Sequence, residues 1–309
     1  MIPKVIGLLI FLLVTSAAAQ SGSFVVIADL NGRYGSTGYH PRVAVAVASI
    51  IRLEPDFVII AGDMIAAQRR PLLTDTELDA MWASFDAVIA KPLAAADIPI
   101  IATAGNHDAS VYQAFEQDRR AFQRYWTGKA RPTQVLPASN YPWNYAAGFK
   151  DTLVISLYGT APGALAEEQL AFAQTMLEQH GSAYDRVVVT THLPIYPVAN
   201  GREREVLSAG KITTSKQVDW YVSGHHHAFY PGRVHGNLEG TVHLASPALG
   251  GNRRSWLGTA VKSPFGFVEV AMDNTVTLFS APEFVPEAPA SLPLAIGQLR
   301  LAEDLIKER

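Results

Sequence analysis

Three runs near the start of the chain are apolar without interruption, and each stops at a polar motif. Phe24-Val-Val-Ile-Ala28 ends at Asp29, Phe57-Val-Ile-Ile-Ala61 at Gly62-Asp63, and Ile98-Pro-Ile-Ile-Ala-Thr-Ala104 at Gly105-Asn106-His107-Asp108. Continuous β-branched runs of this length predict strands buried on both faces, as in a parallel sheet. Between them, Pro41 opens a helix-like stretch over Arg42 to Leu53, and residues 74–96 carry Met81, Trp82, Phe85, Val88 and Ile89 at helical spacing. The first hundred residues therefore read βαβαβ. Farther along, residues 110–135 read as helix and then irregular chain, Thr152 to Tyr158 as a strand and Leu165 to His180 as an amphipathic helix. Arg186 to Thr191 reads as a strand ending at His192, and Val218 to Ser223 as one ending at Gly224-His225-His226-His227. Short strands and turns follow through about Ser280. Pro282, Pro286, Pro289 and Pro293 mark a Pro-rich linker, after which Leu294 to Arg309 has helical spacing.

Composition bounds the picture. A chain of 309 residues that is 49% hydrophobic can bury one large or two modest cores. Residues 1–19 resemble a signal peptide, with Lys4 as the positive region, Val5 to Val14 as the apolar core and Ala17-Ala18-Ala19 as the cleavage site. The apolar core is short for a bilayer span, so no stable membrane span is expected after cleavage. The expected division is thus 1–19 signal peptide, 20–280 main domain, and 281–309 linker and C-terminal helix, in a protein exported to the periplasm or secreted. Net charge is −3 without a dense Lys/Arg stretch, so long nucleic acid is not an expected partner. Cysteine is absent, which excludes thiolate ligands, thiol nucleophiles and lipid attachment at a thiol. Any metal must be held by His, Asp, Asn or Glu, a donor set suited to Zn, Mn or Fe.

Five strand ends carry such donors: Asp29 with Asn31, Asp63, Asn106, His192, and His225 with His227. Their separations of tens of residues fit separate strands converging on one site. Residues i and i+2 on an extended segment face the same side, which pairs His225 with His227 and turns His226 away. His107 followed by Asp108 fits a proton-handling imidazole oriented by a carboxylate. Alone, Asp29 and Gly62-Asp63 are ordinary turn chemistry, His192 is a loop histidine and the His triplet a surface patch; together they argue for one site. His40, His180, His226, His235 and His243 lack such support and read as structural. The Gly-rich loop Gly32 to Tyr39 follows the first block, and Arg33 on it could pair with a phosphate oxygen. Arg69-Arg70 and Arg253-Arg254 invite the same reading with less support.

These blocks resemble the calcineurin-like metallophosphoesterases, whose pattern is Asp-x-His, Gly-Asp, Gly-Asn-His-Asp/Glu, a lone His, and Gly-His-x-His. The resemblance covers residues 24–230 or so. It implies an α/β protein, a four-layer α/β/β/α sandwich of two mixed sheets, with a dinuclear metal site at the carboxyl-terminal edge of the strands. Carried over, Asp29 and His227 hold a first ion, Asp63 bridges, and Asn106, His192 and His225 hold a second. His107 assists the leaving oxygen with Asp108 holding its ring. The implied activity is hydrolysis of small phosphate monoesters or diesters by a metal-bound hydroxide. The chain departs from the pattern at Asn31, where the family has His. A looser first ion, Mn or Fe in place of Zn, or an additional water is then expected. The alternative is a non-catalytic phosphate- or ligand-binding protein on the same scaffold. A third class, a structural or interaction protein, rests on the C-terminal helix. The purple acid phosphatase branch also lacks the first His, but has a Tyr where this chain has Ala66.

Overall fold

The computed structural model describes residues 22–129, 135–210, 212, 215, 217–237, 239–287 and 292–306. The expected signal peptide lies outside them. Two large mixed sheets dominate. The first runs Val285–Glu287, Val276–Ser280, Gly266–Ala271, Ser23–Ile27, Phe57–Ile60, Ile100–Ala102. The second runs Ala295–Ile296, Leu299–Leu301, Tyr230–Val234, Val242–Ala245, Trp220–Ser223, Arg186–Thr190, Thr152–Ser156, Tyr145–Phe149. The last three strands of the first sheet are mutually parallel, as are the four from Val242–Ala245 to Thr152–Ser156 in the second.

Side-chain alternation sorts the second sheet into two faces. Leu153, Ile155, Val187, Val189 and Tyr221 pack with Ala173, Met176 and Leu177 of the helix Glu167–His180. Val154, Val188, Trp220 and Val222 turn the other way, into the core shared with the first sheet. On the far side of the first sheet lie the helix Pro41–Leu53 and the rod formed by Asp75–Phe85, a π-helical turn Asp86–Ala90, and Lys91–Ala95. Val43, Ala46, Val47 and Ile50 give the first of these its buried stripe. His40 caps it by accepting the Arg42 N–H at Nδ1, and Pro41 occupies the first turn, where its missing N–H costs nothing. Thr74 and Glu77 form a capping box at the start of the second helix, whose buried face is Leu78, Met81, Trp82 and Phe85. Fully burying each large apolar side chain contributes about 1.5–3 kcal/mol, offset by ordering entropy. The result is the expected four-layer α/β/β/α sandwich.

The chain end departs from expectation. Neither a linker nor a C-terminal helix forms among the described residues of 281–306. Val285–Glu287 extends the first sheet, and Ala295–Ile296 pairs with Leu299–Leu301 as a hairpin on the edge of the second. Only Glu303–Leu305 makes a single 3₁₀ turn. The reason is local: Gly297 takes φ +54 in a two-residue turn, which breaks a helix and closes a hairpin. Ile296 and Leu299 then bury against Tyr230 and Trp256. Among the described residues no helix is long and apolar enough to cross a membrane.

Candidate metal centre

The parallel strands of both sheets point their carboxyl ends at one edge, and the sheets are stitched together there. Leu249 N–H donates to Ala28 O (3.1 Å) and Gly250 N–H to Asp29 O (2.8 Å). Thr103 Oγ1, just past Ile100–Ala102, lies 3.1 Å from Ser156 Oγ and 3.2 Å from Thr190 Oγ1 of the second sheet. The glycines of two motifs serve close approach. A Cβ on Gly62 would sit 2.3 Å from His192 Nδ1, and one on Gly105 2.0 Å from Asp63 N.

Asp63 stands at the centre, almost wholly buried. Its Oδ1 accepts the His107 main-chain N–H at 2.8 Å; its Oδ2 lies 3.2 Å from His192 Nε2 and 3.7 Å from His107 Nε2. His192 Nε2 is also 3.0 Å from Asn106 Oδ1, and its Nδ1 donates to Ala61 O at 2.8 Å. Asn106 Nδ2 donates to Gln68 Oε1 at 2.9 Å, which leaves its oxygen to face His192. Donor atoms of Asp63, His192 and His225 all lie within 4.8 Å of one another, a group able to hold a metal ion. Beside it, His227 Nε2 is 3.2 Å from Asp29 Oδ1, while Nδ1 donates to Asn252 O at 2.5 Å. Asn31 is buried at the cavity wall, its N–H 3.3 Å from Asp63 O. All seven residues expected as ligands are thus gathered at one edge. His225 and His227 arrive there through left-handed backbone, φ +62 and +52, rather than as alternate residues of an extended strand. His226 does turn away: Nδ1 accepts from Val198 N–H and Nε2 donates to Glu205 O.

Asp108 does not orient His107. Its Oδ1 accepts from Ile65 N–H (2.8 Å) and its Oδ2 from Gly105 N–H (3.0 Å), so it clamps two loops instead. The two residues are neighbours on the short helix Asn106–Ala109, and adjacent helical side chains diverge. His107 Nδ1 is buried without a hydrogen-bond partner, and the ring stacks on Tyr34 at 4.6 Å. Burial pushes the Asp108 carboxyl up to about 7, helped by Asp63.

The electrostatics are those of a cation site. Burial would raise Asp63, but His192 and His107 outweigh it and hold the carboxyl well below its ordinary range. Burial would lower His192, but Asp63 more than offsets this and pushes it up to about 9. Burial takes His225 down to about 4 and also lowers His107 against the pull of Asp63. Without another cation, the buried carboxylate keeps a proton on His192; a metal ion would displace it. Imidazole nitrogen, carboxylate oxygen and amide oxygen together suit Zn, Mn or Fe.

A cavity of about 780 Å³ opens over these residues. Arg33, Tyr34, Gln68, Tyr112, Arg202, Glu205 and Arg254 share its walls. Arg253 instead lies over the Phe265 ring, and Arg70 over Phe115. Tyr34 lies on the Gly-rich loop expected to border the site, whereas no motif in the sequence marks Gln68 or Glu205 as site residues. Glu205 lies in Arg202-Glu203-Arg204-Glu205, which reads as a solvated charge run, and its only signal is proximity to the lone His192 block.

No curated protein matches the chain by sequence. Among solved structures, a dimetal phosphatase from Danio rerio aligns at TM-score 0.55 and 14% identity, over 86% of this chain and 98% of that one. PhoD aligns at 0.58 and 11%, over 81% and 63%. GAP50, the anchor in the inner membrane complex of Plasmodium, aligns at 0.54 and 13%, over 93% and 91%. These likenesses establish the fold. The calcineurin-like phosphoesterase family profile matches residues 22–229, which contain all seven expected ligand residues. The chain belongs to the calcineurin-like phosphoesterase family.

Proposed function

We propose that this protein is an exported, metal-dependent phosphoric ester hydrolase acting on small phosphomonoesters or phosphodiesters. The observation that carries the reading is the grouping of Asp63, His192 and His225 beneath an open cavity, with Asp29 and His227 paired alongside. Asn106, His192 and His225 would hold one ion, Asp29, Asn31 and His227 a second, with Asp63 shared. Two such ions, Mn, Zn or Fe, supply Lewis acidity toward a phosphoryl oxygen and acidify water at neutral pH. The protein's own groups do the rest. His107, its ring stacked on Tyr34, stands beside Asp63 to hydrogen-bond or protonate the leaving oxygen. Arg33, Arg202 and Arg254 line the cavity and draw an anionic ester toward it. Export rests on the signal-like residues 1–19.

A fold alone does not fix an activity, so the test is direct. Metal-stripped protein is assayed on a panel of mono- and diesters with Mn, Zn or Fe added back. Hydrolysis restored by one of these ions supports the reading. Protein that takes up metal yet cleaves none of the panel would make it a binding protein on this scaffold.

A further inference from the structure

Three imidazoles are expected as ligands of this centre, and two of them are aimed in the same way. His192 and His227 each donate from Nδ1 to a main-chain carbonyl, Ala61 O and Asn252 O, which directs Nε2 at Asp63 and Asp29. His225 is reversed. Its Nε2 lies 2.6 Å from Glu205 Oε2. A carboxylate only accepts, so the proton of the neutral ring belongs on Nε2 and the lone pair on Nδ1. Asp29 fixes the other end of the residue by accepting the His225 main-chain N–H at 3.1 Å. Glu205 is itself held in place. Arg202 Nη1 pairs with the same Oε2, and the Glu205 carbonyl accepts from His226 Nε2 at 3.0 Å. The loop that carries the carboxylate is thus tied to the His triplet it serves.

We propose that Glu205 is a positioning residue for the metal centre: it locks His225 in the Nε2-protonated tautomer, so that Nδ1 is the atom offered to the ion shared with Asp63 and His192. The inference rests on the reading of His225 as a ligand. A carboxylate behind a ligating imidazole fixes the ring and raises its basicity, and losing such a partner costs about 10–100-fold in metal affinity.

Zn²⁺ alone is the probe. Its dissociation constant is measured by competition with a chromophoric chelator, and the imidazole tautomers of the metal-free protein are read from long-range ¹H–¹⁵N NMR. Wild type shows the His225 proton on Nε2. Glu205→Ala weakens Zn²⁺ by about 10–100-fold and loses the single tautomer. Glu205→Gln keeps an accepting oxygen and retains both the tautomer and most of the affinity. In a His225→Ala background, Glu205→Ala has no further effect, because the coupling runs through that ring. A His225 proton on Nδ1 in wild type overturns the proposal without any variant. So does unchanged Zn²⁺ affinity in Glu205→Ala, or a loss that persists in full without His225. If His225→Ala itself leaves Zn²⁺ binding unchanged, the reading of the centre beneath the proposal fails as well.

Discussion

Around Asp63, Asn106, His192 and His225, each inward-facing group has a partner behind it: the His107 main chain, Gln68, Ala61 O and Glu205. Around Asp29, Asn31 and His227 the support is thinner. His227 is aimed by Asn252 O and Asp29 by the His225 main chain, but Asn31 brings an amide where the family pattern has imidazole. Preorganised donors lose little on binding an ion, and weaker donors hold it less tightly. The two sides should therefore fill in sequence, the Asn106 side first.

The largest effect is expected where the sides meet. Asp63→Asn, which tolerates the observed φ of +56, should abolish uptake on both sides and lower activity by about 10²–10³-fold or more. Metal analysis of the purified variant checks this; full metal content would dissolve the idea of a shared carboxylate. Next comes His107→Ala, expected to lower kcat by about 10²–10⁴-fold with metal content unchanged. Metal loss in step with rate would move His107 into the ligand set.

Acid should loosen the Glu205 side through His226, whose neutral ring accepts from Val198 and donates to Glu205 O. Burial takes its pKa down to about 3 from 6.5. Between those values the unfolded state binds more protons, so this contribution is complete above pH 6.5 and is lost as pH falls toward 3. At pH 5 the loss is about 2 kcal/mol. Unfolding free energies from denaturant curves at pH 7 and pH 5 should differ by that much less in His226→Gln, and an identical difference would show that another group governs acid stability. The smallest effect is Asn31→His, which should tighten the second Zn²⁺ equivalent and leave the first unchanged. A titration in which both constants stay fixed would mean that residue 31 does not reach the ion.

Much of this was readable in the sequence, because apolar runs fix buried strands and strand ends fix where the chemistry sits. Asp29, Asp63, Asn106, His192, His225 and His227 are found together because the parallel strands carrying them share one edge. Asp108 departs from its expected role because sequence adjacency is not facing: on a helical turn it points into the loops around Ile65 and Gly105. Gln68 and Glu205 are not legible in the sequence because they lie on irregular loops, where no periodicity marks a side chain as inward. The C-terminal hairpin is not legible because the helical spacing of Leu294 to Leu301 runs through Gly297, and the sheet edge waiting for a strand is a property of the whole fold.

Asp29, Asp63, Gln68, His225 and His227 all hold left-handed backbone, with φ between 52 and 62. Outside glycine this conformation costs roughly 1–2 kcal/mol per residue, less for Asp. Part of the fold's backbone strain is therefore stored at the centre itself. Selection for heat resistance alone would favour glycine at these positions, Gln68 first, and would remove the aim of Asn106 along with the strain. In this protein, thermostability and the capacity to hold metal pull the same few backbone angles in opposite directions.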